Sequence, residues 1–150
     1  MKKIFILTLL MAISATCLFA QTKKAVKKPV KKRATAVRGL ASSIAAGKKV
    51  YTLYCVSCHQ LDGGGVQNLN PPLIKTTYVL GNKGKLAKIV LNGFNENVEI
   101  DGNTYSNTMP SLSILKDQEI ADVLTYVRNS FGNKAPAVTA ADVKKARATK

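Results

Sequence analysis

A pair of cysteines with an adjacent histidine is the part of this chain best suited to chemistry. The five residues read Cys55-Val56-Ser57-Cys58-His59. Two cysteines separated by two residues and followed at once by histidine are the attachment signature of c-type haem. Each thiol forms a thioether to the same porphyrin, and the imidazole is placed to ligate the iron. The motif therefore predicts one haem c, bound covalently through Cys55 and Cys58 and ligated by His59.

The residue counts restrict the second iron ligand. His59 is the only histidine in the chain, so a haem with two histidine ligands is excluded. Cys17, Met1 and Met11 all fall in an N-terminal export segment. Outside that segment Met109 is the only methionine, and histidine with methionine is a common axial pair of low-spin c-type haems. We therefore expect His59 and Met109 to be the two metal ligands.

Two other uses of the cysteine pair remain open. A thioredoxin-type redox pair lies beside a βαβ pattern, usually at a helix start, whereas Cys55 and Cys58 end an apolar helical pattern. A structural zinc site needs four ligands. Without the export segment, the chain offers three strong ones, the two thiols and the imidazole of His59. Haem is favoured over both.

The N-terminal segment, residues 1–20, has the composition of a secretory signal peptide. Lys2 and Lys3 precede the mostly apolar residues 4–19, and Ala20 is a small residue at the expected cleavage point. An uncleaved membrane anchor is the alternative, although the apolar stretch is slightly shorter than the roughly 20 residues that a spanning helix needs. Export to the periplasm, or otherwise outside the cytoplasm, agrees with haem c, which bacteria attach there.

The net charge of +15 is concentrated in the tails. Residues 21–39 contain eight Lys and Arg and no acid, and a basic extension follows at residues 134–150. Residues 40–133, the predicted folded domain, hold eight bases and seven acids. The Lys-rich segment predicts a disordered linker, which binds an anionic membrane surface, steers docking on an acidic protein, or is only a spacer. No nucleic-acid partner is expected, because the domain lacks a basic face.

Helical signals organise the first half of the domain. Ser42 or Ser43 is the predicted N-cap of a first helix that runs to about Val56. The glycine run at residues 63–65 breaks the chain into a loop. A middle helix is predicted for residues 83–92, and the glycine that follows ends it.

The second half contains two more predicted helices. One begins at the N-cap Asp117, carries an apolar stripe, and is ended by Gly132. A short extra helix follows Thr139, whose spacing from Asp142 is that of a capping box.

A long polar loop separates these two halves. Residues 93–115 are rich in Asn, Gly and Ser, and a loop of that length inside a small domain is usually functional. Met109 lies within it. No strand alternation is evident, so the predicted class is all-α.

Over residues 40–133 the chain resembles the class I c-type cytochromes. The residues that carry the resemblance stand in the family order: Gly47 and Tyr51, Cys55 with Cys58 and His59, Pro71 with Leu73, Met109-Pro110, and Val123 with Tyr126. The resemblance implies a small fold of helices packed around one haem, with the first and last helices crossing at Gly47. The end of the last helix is similar to cytochromes that serve periplasmic dehydrogenases or nitrite reductases.

The resemblance also implies roles for single residues. The Pro71 carbonyl would accept a hydrogen bond from the second ring nitrogen of His59, which fixes the tautomer of the ligand. Leu73 would pack on the haem near that ligand. Met109 would supply a neutral sulfur that favours ferrous iron and raises the reduction potential. Tyr105 would hydrogen-bond near a haem propionate.

The predicted function is transfer of single electrons between redox protein partners outside the cytoplasm. An iron with both axial positions filled has no open site for a substrate, so the protein is not expected to be an enzyme by itself. One alternative is a haem c subunit of a periplasmic dehydrogenase, nitrite reductase or terminal oxidase complex. Another, with Met109 not bound to iron, is a haem-based ligand sensor or a peroxidase-like enzyme.

Overall fold

The structure is a computed structural model that describes residues 39–149. The signal segment predicted for residues 1–20 lies outside the described residues, as does the predicted linker apart from Gly39. The described elements are, in chain order, α1 (Leu40–Tyr54), α2 (Val56–His59), α3 (Thr77–Leu80), α4 (Lys83–Asn92), β1 (Val98–Ile100), β2 (Asn103–Tyr105), α5 (Asp117–Val127) and α6 (Ala140–Ala148). Helices predominate, in agreement with the predicted all-α class. Between residues 39 and 149, none of the helices combines the length and the apolar composition needed to cross a bilayer.

Helices α1 and α5 cross at a glycine, as the family resemblance implied. A β-carbon at Gly47 would overlap the carbonyl oxygen of Asp122 and lie 2.7 Å from Cβ of Tyr126. Beside this contact the rings of Tyr51 and Tyr126 pack with their centroids 5.3 Å apart. The missing side chain at Gly47 therefore sets the separation of the two helices, and the aromatic pair fills the adjoining space.

The first helix starts earlier than predicted. It begins at Leu40 with Gly39 as its N-cap, so the prediction of an N-cap at Ser42 or Ser43 is wrong. The Ser43 hydroxyl instead donates to Oδ1 of the buried Asp122, 2.5 Å away. Local spacing assigned this hydroxyl to a helix cap, but in the fold it bonds to Asp122, which lies 79 residues further along the chain.

Helices α4 and α6 have the ends that local signals predicted. Gly93 ends α4 with a φ of 77°, a left-handed conformation that glycine adopts easily. At the start of α6, the Asp142 N–H donates to the Thr139 hydroxyl and the Thr139 N–H donates to the Asp142 carboxylate, at 3.2 and 2.9 Å. The helix packs on α4 and α5, with Val143 fully buried.

The predicted long loop contains a β-hairpin. Strands β1 and β2 pair antiparallel, with Val98 opposite Tyr105, around a turn at Asp101-Gly102. Both turn residues have positive φ, 49° and 75°, as a type I′ hairpin turn requires. The expectation of a structureless loop over residues 93–115 is therefore wrong in part, because strands of three residues are too short to show alternation.

Helix α5 ends at Val127, and the predicted continuation to Gly132 is wrong. The next residue, Arg128, is only 2% exposed. Its guanidinium donates to three backbone carbonyls, those of Val79, Gly81 and Pro136. These bonds hold the segment after α5 against the end of α3, so tertiary contacts determine where the helix stops.

Candidate haem site

The cysteine motif occupies one helical turn after α1. Backbone N–H groups of Cys58 and His59 donate to the carbonyl of Cys55 at 3.2 and 2.9 Å. Both cysteines are partly buried and neither is in a disulfide. The turn formed by Cys55 and α2 therefore presents two free thiols and an imidazole from five consecutive residues, as haem attachment requires.

All five predicted site residues line one cavity: Cys55, Cys58, His59, Pro71 and Met109. They come from three separate parts of the chain. The empty space between the lining residues is about 1340 Å³, a figure that includes solvent at the open mouth of the cavity. Apolar side chains form most of its walls, among them Leu73, Leu86, Val90 and Val127.

His59 is held as a neutral imidazole with a defined tautomer. Its ring is buried, and Nδ1 lies 3.0 Å from the carbonyl oxygen of Pro71. Because a carbonyl only accepts, the proton must be on Nδ1, which leaves the Nε2 lone pair for a metal. Burial lowers the pKa of His59, and the bond to Pro71 opposes this only in part. The imidazole is therefore unprotonated near neutral pH, as a ligand must be.

The glycine run after the motif brings the Pro71 carbonyl within reach. Gly65 has a φ of 68° and donates its N–H to the His59 carbonyl at 3.1 Å. A β-carbon at Gly65 would lie only 2.8 Å from the carbonyl carbon and oxygen of Pro71. The sequence identified this run only as a loop, but its close approach to Pro71 is part of the site.

Met109 is fixed through its backbone although it lies in a loop. The Met109 N–H donates to the Phe94 carbonyl at 2.8 Å, and the Phe94 N–H donates to the Met109 carbonyl at 2.9 Å. The next turn is pinned to α4, because the Ser111 hydroxyl donates to the Leu91 carbonyl at 2.6 Å. The thioether is half-buried and lines the same cavity as His59. Its backbone is thus held by the same kind of paired hydrogen bonds that join two antiparallel strands.

The chemistry of the thiols does not support the thioredoxin alternative. Burial, together with the neighbouring Cys58, raises the pKa of Cys55 to about 11. Redox-active thiols have a lowered pKa because the thiolate is the nucleophile. Within residues 39–149, no three His, Cys, Asp or Glu side chains form a group that could hold a metal ion. The donors present, two thiols, one imidazole and one thioether around an apolar cavity, fit a haem.

The hairpin contributes site residues that the sequence did not reveal. Val98, Ile100 and Tyr105 line the cavity, and of these only Tyr105 was expected near the haem. Phe94, which pairs with Met109, lines it as well. The signal available in the sequence was the Asp101-Gly102 dipeptide, a strong hairpin indicator.

Known proteins resemble this chain over the same region. Residues 44–131 match the family described as Cytochrome c. Cytochrome c-552 of Thermus thermophilus is 36% identical over 121 residues, covering 75% of this chain and 81% of that protein. The cytochrome c subunit of a quinone-dependent alcohol dehydrogenase from Gluconacetobacter polyoxogenes is 41% identical over 108 residues, covering 69% of this chain and 22% of that subunit. The cytochrome c subunit of gluconate 2-dehydrogenase from Pantoea cypripedii is 36% identical over 104 residues, covering 65% of this chain and 23% of that subunit. This chain thus spans less than a quarter of each dehydrogenase subunit.

Proposed function

The chain belongs to the cytochrome c family and transfers electrons through a haem c held by Cys55 and Cys58, and we propose that His59 and Met109 are its two iron ligands. One observation carries this proposal. The only histidine in the chain and the only methionine of residues 39–149 line the cavity that also contains both cysteines. Histidine and methionine together give low-spin haem c a raised reduction potential.

The bound haem supplies reversible one-electron oxidation and reduction of its iron. The residues of this chain provide two neutral ligands, so neither needs to gain or lose a proton with the electron. The Pro71 carbonyl holds the proton of His59 on Nδ1, and Phe94 holds the backbone of Met109. Ligands fixed in this way need little rearrangement between the two iron states. The mostly apolar cavity walls limit contact between water and the site.

We propose that the protein is an electron carrier and not an enzyme by itself. With His59 and Met109 both bound, the iron has no open position at which a substrate could react. His59 is the only imidazole in the chain and is already engaged by Pro71. No general acid or base of that type is left for a second reaction.

The 36% identity to cytochrome c-552 supports a carrier that exchanges electrons with redox protein partners. The second candidate function, a haem c subunit of a dehydrogenase complex, is supported by the 41% identity to the alcohol dehydrogenase subunit. Purification from the native host distinguishes them. A carrier elutes at the size of one chain and exchanges electrons quickly with soluble partners, whereas a subunit co-purifies with its complex.

Domain organisation and location complete the proposal. Residues 1–20 act as a signal peptide or anchor, residues 21–39 as a linker, residues 40–133 as the cytochrome c domain, and residues 134–150 as a basic extension. Export places the protein in the periplasm or otherwise outside the cytoplasm. Cell fractionation tests this, because a cytoplasmic haem protein would contradict it.

The Lys-rich linker is proposed to bind an anionic membrane surface. Each lysine near such a surface contributes about 1 kcal/mol, and salt weakens the attraction. Deleting residues 22–38 should leave the haem spectrum unchanged and weaken binding to vesicles that contain an anionic phospholipid. Equal binding of both forms would show that the linker is only a spacer.

Absorption spectroscopy tests the core of the proposal. Protein purified from a host able to mature c-type cytochromes should contain one haem per chain by the pyridine haemochrome assay. The oxidised form should show the weak sulfur-to-iron charge-transfer band at the red end of the spectrum. A colourless protein would contradict haem attachment, and a haem protein without that band would contradict ligation by Met109.

A further inference from the structure

Asn133 lies just outside the matched family region, and its side chain makes three hydrogen bonds. Its side chain is buried, 7% exposed. The amide Nδ2 donates to the carbonyls of Leu73 and Val127, both at 2.8 Å. The amide oxygen accepts from the backbone N–H of Lys75 at 2.7 Å. Both donors and the acceptor of this side chain are therefore used, and all three partners are backbone groups.

These bonds tie an irregular segment to the end of α5. Residues 71–75 contain no helix or strand, so no repeating backbone pattern fixes their position. Lys75 has a φ of 52°, a left-handed conformation that is unfavourable for lysine and persists where the surroundings enforce it. Asn133 supplies such a constraint at Lys75 and a second one at Leu73. The Leu73 N–H makes a further bond to the Gly63 carbonyl at 2.8 Å.

The fixed segment begins at the hydrogen-bond acceptor of the histidine. Pro71 stands two residues before Leu73, and its carbonyl oxygen lies 3.0 Å from Nδ1 of His59. A bond at the second ring nitrogen orients an imidazole ligand and raises its basicity toward the metal. Movement of residues 71–75 would lengthen this bond. The ligand would then turn more freely and donate less charge.

We propose that Asn133 is a positioning residue for the haem ligand. It clamps residues 71–75 to α5 and thereby keeps the Pro71 carbonyl at hydrogen-bond distance from His59. This inference rests on the proposed function, in which His59 ligates the iron. A purely structural role for Asn133 would change the stability of the protein but leave the hydrogen bond of His59 intact.

The test uses the full-length, haem-loaded protein and compares two neutral truncations. Asn133→Ala removes the clamp. Asn129→Ala is the matched control, because the Asn129 amide donates to the carbonyl of Thr125 in α5 at 2.9 Å and not to the segment 71–75. The first readout is the rate at which the Nδ1 proton of His59 exchanges with solvent, measured by NMR in the ferrous state. The second readout is the reduction potential.

Asn133→Ala should speed exchange of the Nδ1 proton by about tenfold, as expected when roughly one hydrogen bond is lost. Its reduction potential should rise, because a less basic imidazole stabilises ferric iron less. Asn129→Ala should match the wild type in both readouts. If Asn133→Ala does not retain haem, Asn133→Ser, which keeps one donor, takes its place and should give a smaller change in the same direction.

Two results would overturn the inference. One is an exchange rate in the Asn133 variant equal to that of the wild type. The other is an equal change in the Asn133 and Asn129 variants. Failure of the proposed function is separately visible, because the wild-type spectrum would then lack the ring-proton shifts of an iron-bound His59 before any substitution is made.

Discussion

The backbones of Phe94 and Met109 are joined by two hydrogen bonds, with N–O distances of 2.9 and 2.8 Å. This isolated antiparallel bridge holds the backbone from which the flexible thioether side chain of Met109 extends. The β1–β2 hairpin lies between the two residues along the chain, so the bridge also joins the two ends of the segment that carries the hairpin. The hydrogen-bond pattern that normally joins two strands of a sheet here holds a methionine in a polar loop.

Met109→Ala should leave the haem attached but change the reduction potential and the ligand binding of its iron. The cysteine bonds do not depend on Met109, but loss of the sulfur lowers the reduction potential, because the thioether favours ferrous iron. Ferric iron should also bind added imidazole at least about tenfold more tightly, since no protein ligand must be displaced. Spectroelectrochemistry and imidazole titration measure both effects. Leu112→Ala, a truncation of another residue lining the cavity, is the control. An unchanged spectrum and potential for Met109→Ala would remove Met109 from the ligand set.

Gly93→Ala should disturb ligation by Met109 without touching the sulfur. A β-carbon at Gly93 would lie 2.5 Å from the Met109 carbonyl oxygen and 2.9 Å from the Ser111 nitrogen, so the loop must shift. The free energy of unfolding should fall by about 1–3 kcal/mol, and the charge-transfer band should weaken.

Gly102→Ala separates steric overlap from backbone strain in that experiment. Gly102 has a φ of 75°, close to the 77° of Gly93, but a β-carbon there would meet no atom within 4 Å. It should therefore lower stability by strain alone and leave the band unchanged. Equal loss of the band in both variants would contradict the steric explanation.

Gly47→Ala should be more damaging than an alanine elsewhere in a helix. Its β-carbon would overlap the Asp122 carbonyl, and the neighbouring atoms belong to a helix backbone that cannot yield. We expect a loss of about 3 kcal/mol or more in the free energy of unfolding, as in other overpacked cores. Urea unfolding of the haem-loaded protein measures it. Gly84→Ala, in the first turn of α4 and facing only the Asn82 side chain oxygen at 3.2 Å, is the control and should cost little or stabilise. Similar costs at both positions would argue against the close crossing.

Asp142→Asn should weaken the protein in a pH-dependent way. Burial raises the pKa of Asp142, but hydrogen bonds from Thr139 and the Lys83 ammonium outweigh it and hold the pKa below 3.8. The folded state therefore binds this proton more weakly than the unfolded chain. The stabilisation is present above pH 3.8 and is lost as the pH falls through the lower, folded-state pKa. Asp142→Asn should cost about 0.5–1.5 kcal/mol near pH 7, the range for loss of a hydrogen bond.

Urea unfolding near pH 7 and below pH 3.8 provides the measurement. The difference in free energy of unfolding between the wild type and Asp142→Asn should shrink at the lower pH. Asp101→Asn, at the exposed hairpin turn, controls for the loss of one negative charge. A difference that stays constant with pH would show that the carboxylate charge is not what stabilises α6.

Local signals predicted the elements that depend on local bonds. The end of α4 at Gly93 and the reciprocal cap of Thr139 and Asp142 involve residues at most three apart, so they are visible in the sequence. Ser43 shows where this reasoning fails. Its hydroxyl has a better partner in Asp122, which only the folded chain brings near.

In the candidate site, too, some residues could be predicted from the sequence and others could not. The cysteines, the histidine and the methionine stand out because each is nearly unique by type and spacing. Asn133 does not stand out, since its partners Leu73 and Lys75 lie 60 and 58 residues away and are backbone groups of no special sequence. Side chains that act on the backbone of distant segments leave no pattern to read.

The turn of the hairpin offers a place to connect this protein to an electrode. Gly102 stands in open space at the tip, while Val98 and Ile100, on the strand leading to it, line the cavity. A surface-binding peptide inserted at Gly102 would attach within one strand length, about 10 Å for three residues, of the cavity wall. Attachment at this tip would bring the cavity, where the haem is expected, close to the electrode surface.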